Sequence, residues 1–299
     1  MEGYVQGPSR LREFSMLGDE GIDLSEEDQA VLTAWRELIE GRYFSDIEGL
    51  LTYEDEVFGF SVQHAHLASN DTLRNAFHEQ PTHCLKLGNT VLKEQFSRAG
   101  VHMRGVLRVV GLGDEYRTSI HALRMRNRYK LVSVDVKIVD VSDAYGWLKV
   151  AVYRCRDCKD EQILDQRRAR ERESPPFCMS CIRKARASDN EDDVPPSLLA
   201  RRPNFSLITE DCFYEDAQSL RVRQVVYDED GQVLNDAAPE SLEAVVADEM
   251  VGRLTPSTYY RLNAVVKLEP LRDRTFAKDT RRVLSLEVIS AEELALFPA

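Results

Sequence analysis

Residues 129–158 read YKLVSVDVKIVDVSDAYGWLKVAVYRCRDC, and the pattern within them decides the fold. Val132, Val134, Val136 and Ile138 alternate with Ser133, Asp135, Lys137 and Val139, the period of two that turns one side of a strand toward a core. Turn chemistry follows, then a second strand-like run at 147–153. The stretch ends on Cys155 and Cys158, the first half of a quartet completed by Cys178 and Cys181, two C-x-x-C pairs separated by nineteen residues. Zinc–sulfur bonds of about 2.3 Å let a pair two residues apart chelate from one tight turn, while the segment between only has to fold back. The expected product is a small zinc ribbon around a structural Zn²⁺. Four thiolates leave no open coordination position, and the ion replaces a core that a short segment cannot build. Disulfides compete with this reading, but MEGYVQGPSRLREF at the N-terminus lacks the apolar stretch of a secretory signal, so paired C-x-x-C reads as metal. Cys84 and Cys212, distant in sequence, read as single buried thiols.

Outward from this stretch, further strand-like runs lie at 219–226, 259–268 and 283–289. On the N-terminal side, Val101, Met103, Leu107 and Val109 alternate with His102, Arg104 and Arg108. Such a count suits a small barrel, and a five-stranded Greek-key barrel is an OB-fold. The cysteine segment and the polar linker SDNEDDVPPS at 188–197 fall between the second and third barrel strands counted from Leu131. The first hundred residues read as helical. Ser25 and Asp28 resemble a capping box ahead of Val31, Leu32, Trp35, Leu38 and Ile39, on a helix reaching about Glu40. Asn70 or Asp71 caps a second helix carrying Leu73, Ala76 and Phe77 and ended by Pro81, and a third carries Leu85, Val91, Leu92 and Phe96. The expected class is therefore α+β and multidomain: an acidic helical bundle over 1–98, a discontinuous OB-fold over 99–153 and 203–290, an inserted zinc-binding subdomain and linker over 154–202, and the start of a linker over 291–299.

At 299 residues the chain holds about two domains. No apolar run approaches the roughly 18 residues that span a membrane, so no membrane partner is expected. The formal charge of −12 is unevenly placed: residues 13–60 carry fourteen acidic and two basic side chains, which leaves the rest neutral. Within that remainder, residues 104–130 carry seven Lys/Arg against two acids, and residues 267–282 six against three. Such zones of one sign matter more to an anionic ligand than the overall sum, although each alone also suits a solvated face. His64 and His66 on a possible strand, with His78 and His83 nearby, show no complete metal-ligand spacing. Asp46, Glu48 and the run Glu54–Glu56 read as a solvated acidic face instead of paired catalytic carboxylates. Alternation buries one of Tyr259 and Tyr260 and leaves the other for stacking.

Taken together, the strand leading into Cys155, PPFCMSC at 175–181, FSLITEDCFYEDAQSLRVRQ at 205–224 and LEAVVADEMVGRLTPSTYYRLNAVVKL at 242–268 resemble the N-terminal region of MCM (minichromosome maintenance) replicative helicases, archaeal-like in order. YFSDIEGL at 43–50 is also similar, and the resemblance covers nearly the whole chain. It implies a helical subdomain, then an OB-fold with an inserted zinc subdomain, assembled into a ring that encircles DNA. It also implies that the zinc subdomain mediates contact between two rings stacked head to head. A hairpin projecting into the channel would correspond to KLEPLRDRTFAKDTRRVL at 267–284. Arg272, Arg274, Lys278, Arg281 and Arg282 are then candidates for phosphate contacts, and Arg221 keeps the family pattern. Contacts of this kind position single- or double-stranded DNA without reading its sequence.

The chain also departs from the family. Asp140 stands where relatives carry a basic residue, Ala144, Tyr145 and Gly146 replace a V-R-P-like turn, and Arg223 and Gln224 replace Gln-Glu ahead of the acidic loop YDEDGQVLNDAAPES at 227–241. A carboxylate at a phosphate-facing position repels DNA, which makes the barrel face a weaker DNA site than the resemblance implies. No G-x-x-x-x-G-K-[ST] occurs, so this chain is expected not to hydrolyse ATP. ATP and helicase activity would belong to a separate C-terminal domain, with AEELALFPA as the start of the linker to it. The expected role is therefore DNA binding and ring assembly, inside the cell: in the cytoplasm or nucleoid of a prokaryote, or in a eukaryotic nucleus. Two alternatives stay open, a divergent MCM-like protein-interaction scaffold with weak DNA binding, and another zinc-ribbon and OB-fold nucleic-acid protein.

Overall fold

The structure, a computed structural model, describes residues 25–53, 56–166, 172–189, 204–227, 233–234, 240–271 and 280–294. Helix α1 spans Glu26–Arg42, two residues past the expected end. The Ser25 side chain accepts the Asp28 N–H at 3.1 Å, and Glu26, Glu27 and Asp28 fill the first turn, where the helix dipole favours negative charge. Helix α2 (Phe44–Glu48) leads to strand β1 (Val57–Gln63), followed by α3 (His64–Ala68), α4 (Asp71–Glu79) and α5 (Pro81–Ala99). Asn70 caps α4 by accepting the Leu73 N–H at 3.2 Å. Helix α4 ends at Glu79, ahead of Pro81 as expected, and Pro81 also opens the next helix at its first position, where its missing N–H costs nothing. His64 and His66 lie on α3 and not on a strand, because the extended run ends at Gln63.

Strand β2 (Arg104–Val110) pairs in parallel with β1, from Val57 opposite Arg104 to Gln63 opposite Val110. Next come β3 (Leu131–Val141), β4 (Tyr145–Cys155), β5 (Glu161–Asp165), α6 (Met179–Asp189), β6 (Phe205–Leu207) and β7 (Phe213–Gln224). The short ladder of β8 (Val226–Tyr227) and β9 (Val233–Leu234) precedes β10 (Ser241–Ala247), β11 (Tyr259–Pro270) and β12 (Arg282–Glu293). Neither β1 nor β10 is expected from sequence.

The chain divides into two compact units. In the larger, residues 15–145 with 216–299, five strands pair as β10–β12–β11–β3–β7, and β7 pairs again with β10, so the circuit of hydrogen bonds returns to its start. Val134, Val136, Ile138, Leu220, Val222, Ala244, Val246, Leu262, Val266 and Leu286 fill its interior. The helices pack on β1 and β2 around Trp35, Phe77 and Phe96, all essentially excluded from water. Truncating one such aromatic to alanine costs about 3–5 kcal/mol. That core also includes Leu131, Val265 and Ile289 of the strand circuit, so the larger unit is apolar from helices to sheet.

In the smaller unit, residues 146–215, β4 pairs with β5 on one side and β6 on the other, over a minor core of Ala151, Tyr153 and Cys212. Among the described residues, no helix is long and apolar enough to cross a membrane.

Candidate metal centre and nucleic-acid interface

The first C-x-x-C forms the turn between β4 and β5. Cys155 closes β4, its N–H donating to the Asp160 carbonyl and its own carbonyl accepting the Lys159 N–H, both at 2.9 Å. Lys159 takes φ +65°, the left-handed conformation that bends the knuckle back. The second pair is not a second knuckle, because Cys178 immediately precedes α6 and Cys181 lies in its first turn. Free N–H groups at a helix start favour thiolate charge there. Across the unit, Cys155 Sγ lies 3.8 Å from Cys181 Sγ and Cys158 Sγ 3.5 Å from Cys178 Sγ, with all four sulfurs within 4.8 Å of one another. A tetrahedron with metal–sulfur bonds of about 2.3 Å has edges of about 3.8 Å, so these two edges match a Zn²⁺ site and the remaining ones exceed it by no more than about 1 Å. Burial and the three neighbouring thiols push the Cys181 thiol up, a crowding that a shared cation relieves. Arg154, a candidate to balance the cluster's charge, is instead held by Glu161 at 2.7 Å, and the Lys159 ammonium donates to the Arg156 carbonyl at 2.8 Å.

The other two cysteines stand apart. The Cys84 carbonyl accepts the Trp35 indole N–H at 3.1 Å, and burial pushes the Cys84 thiol up to about 12. The Cys212 thiol donates to the Ile208 carbonyl at 3.1 Å. The histidines do not assemble a second metal site. His66 Nδ1 meets the Tyr43 hydroxyl at 2.7 Å, His83 Nε2 meets Asp28 at 2.7 Å, and His78 stacks obliquely on Tyr116. Asp46 and Glu48 are exposed. Tyr260 is buried, whereas Tyr259 on the opposite side of β11 receives the Lys137 ammonium 5.5 Å from its ring centre.

Of the six basic residues expected at a phosphate interface, three are described. Arg281 and Arg282 stand at the base of the hairpin made by β11 and β12, where Pro270 faces Arg282 and the Leu271 N–H reaches the Arg281 carbonyl at 3.3 Å. Arg272, Arg274 and Lys278 lie outside the described residues. Arg221 is exposed on β7, in register with Asp140 on one side and Glu243 on the other, and its guanidinium lies 3.9 Å from the Asp140 carboxylate. A β-bulge between Ile138 and Asp140 permits this pairing. The acid at 140 thus offsets the nearest cation on that face. Further along the outer face, Asp135 binds Arg261 at 2.8 and 3.2 Å, Arg117 at 3.3 Å and the Tyr227 hydroxyl at 3.0 Å. Burial pushes the Asp135 carboxyl up, with Tyr227 and Arg117 pulling the other way, and burial beside Asp135 pushes the Tyr227 hydroxyl up to about 12.

An OB-like sheet, with a four-cysteine unit entered from one of its strands and helices ahead of it, defines the class. The sequence profile of the MCM OB domain matches residues 119–270, just over half of the chain, and the chain belongs to that family. A solved structure described as the N-terminal domain of an archaeal MCM has the same fold, with a TM-score of 0.62 at 18% sequence identity over 89% of this chain and 99% of that one. No curated protein matches the chain in sequence.

Proposed function

We propose that this chain is the DNA-binding and ring-assembly region of an MCM-type replicative helicase, acting inside the cell. The strand circuit is read as a five-stranded OB barrel and the helices as an accessory bundle. Division into 1–98, 99–153 with 203–290, 154–202 and 291–299 accompanies that reading. The quartet Cys155, Cys158, Cys178 and Cys181 holds a structural Zn²⁺ that orders the inserted unit. DNA is held by its phosphates, independently of sequence, and self-association into a ring multiplies weak contacts through effective concentration.

The observation that carries this reading is the hairpin of β11 and β12, whose base has Arg281 and Arg282 and whose connecting segment carries Arg272, Arg274 and Lys278. Charge reversal of Arg272, Arg274 and Arg282 together is expected to weaken binding of a labelled single-stranded oligonucleotide at least tenfold. It should also reduce the slope of log affinity against log salt by about 2, since each lost single-strand phosphate contact removes about 0.7. Unchanged affinity in a folded variant would reject the hairpin as the DNA site.

The pairing of Arg221 with Asp140 and its register with Glu243 favour a second reading, an interaction scaffold with little DNA affinity. Light scattering and DNA titration on one sample separate the two readings, because a monomer that ignores DNA supports the scaffold.

A further inference from the structure

Six cations of the larger unit near the sheet are paired with nearby acids. Asp248 pairs with Arg104, Glu249 with Arg108, Asp135 with Arg117 and Arg261, Asp140 with Arg221, and Glu287 with Lys267. One segment differs. Arg124, Arg126, Arg128 and Lys130 are all exposed, fall within seven residues, and meet no carboxylate among the described residues. Arg124 donates to the His121 and Leu123 carbonyls and Arg128 to the Met125 carbonyl at 3.2 Å, which leaves most of each guanidinium's five donors unengaged. In a chain of net charge −12, this concentration of unpaired positive charge is a local reversal of sign.

The segment is also a built platform. Ile120 and Leu123 are buried in the core of the strand circuit and anchor its start. Asn127 closes a short 3₁₀ turn: its side-chain oxygen accepts the Arg124 N–H at 2.9 Å, and its own N–H donates to the Arg124 carbonyl at 2.8 Å. Tyr129, at φ +64°, donates its N–H to the Val266 carbonyl at 2.7 Å, and the Val266 N–H returns to the Lys130 carbonyl at 3.0 Å. Both ends are thereby fixed to the sheet, and the ring of Tyr129 stays 55% exposed between two of the cations. Val266 lies four residues before Pro270 on β11, so the platform sits roughly 14 Å along the strand from the hairpin base, at about 3.4 Å per residue.

We propose that the loop from Arg124 to Lys130 is a second phosphodiester-binding surface, on which a nucleic-acid strand leaving the β11–β12 hairpin is held by Arg124, Arg126, Arg128 and Lys130 while Tyr129 stacks on a base. The inference rests on the DNA-binding reading above and adds a contact that the hairpin does not supply. Guanidinium groups on a fixed turn lose little freedom on meeting phosphates, and an aromatic ring among them favours single strands, whose bases are free to stack.

The test titrates the full chain against a labelled oligothymidylate, with inorganic polyphosphate as competitor. Arg124→Glu with Arg126→Glu and Arg128→Glu is expected to weaken binding at least tenfold and to lower the salt slope by about 2, with unchanged thermal unfolding. If that triple variant fails to fold, the corresponding Gln substitutions are expected to give a smaller loss in the same direction. Tyr129→Ala should weaken oligothymidylate binding about fivefold or more and leave polyphosphate competition unchanged, separating base stacking from a purely anionic site. Wild-type affinity in the folded loop variants, alongside a loss in the hairpin variant, overturns the second surface and leaves the hairpin reading standing. Loss in the loop variants with normal binding by the hairpin variant does the reverse. A wild-type chain that binds neither probe overturns both.

Discussion

His64, the first residue of α3, shows how one buried polar side chain ties stability to pH. It is 6% exposed, packs edge-on against Tyr116 with ring centres 5.2 Å apart, and its Nε2 meets no hydrogen-bond partner. Burial holds its pKa below the ordinary histidine value, and the Glu115 carboxylate offsets this only in part. The folded state therefore takes up a proton at lower pH than the unfolded chain does. Its contribution is fully present above the unfolded value near 6.5 and is lost as pH falls toward the folded one. Replacing His64→Gln is expected to flatten the fall of melting temperature as pH drops below about 6.5; an identical pH profile in the variant would show that His64 does not govern it.

At the scale of elements, the smaller unit sets a four-cysteine cluster, able to hold a metal ion, beside a minor apolar core. Strands β4, β5 and β6 enclose little apolar volume, and the β4–β5 turn and the start of α6 meet through the four sulfurs and a bond from the Ser180 hydroxyl to the Asp160 carboxylate. Structural Zn²⁺ sites contribute on the order of 10 kcal/mol, more than such a core supplies. Trp147 lies in this unit and Trp35 in the larger one, and they are the only two tryptophans. The Trp147 ring is 7% exposed, with the Lys149 ammonium 3.5 Å from its centre, so its fluorescence reports on local order. A chelator, or Cys178→Ser, is expected to red-shift the emission of a Trp35→Phe protein and to leave that of a Trp147→Phe protein unchanged until global unfolding. A zinc assay giving less than one ion per chain before chelation would contradict the assignment.

Across the molecule, the larger unit is joined by a buried ionic latch. Arg108 on β2 donates to both Glu249 carboxylate oxygens at 2.7 Å, to the Ala247 carbonyl at 3.1 Å and to the Ile289 carbonyl at 3.2 Å, and Arg104 pairs with Asp248 beside it. Gly59 on β1 makes the room, because a Cβ there would stand 2.1 Å from a Glu249 carboxylate oxygen. That oxygen is the end of a side chain, but bidentate pairing and burial leave it nowhere to retreat. Breaking one partner of a buried pair costs about 3–5 kcal/mol, so Arg108→Met is expected to lose stability on that scale, and Gly59→Ala about 2 kcal/mol or more. Urea unfolding reads both. A Gly59→Ala midpoint equal to wild type would mean that the carboxylate moves freely.

Sequence alone carried the cysteine quartet, the alternation of β3, the caps of α1 and α4, and the family, because these are local: a chelate spacing, a period of two and a capping oxygen are written in adjacent residues. Tertiary structure decided what depends on distant partners. Strand β1 exists because β2 pairs with it in parallel across an intervening segment that carries three helices, and β10 because it closes the circuit between β7 and β12. Only pairing revealed that Asp140 offsets Arg221, and that Arg104, Arg108 and Arg117, which looked like one basic run with residues 124–130, are spent on buried or half-buried acids. Charge can be counted along a chain, but whether a charge is available to a ligand depends on which carboxylate the fold places beside it.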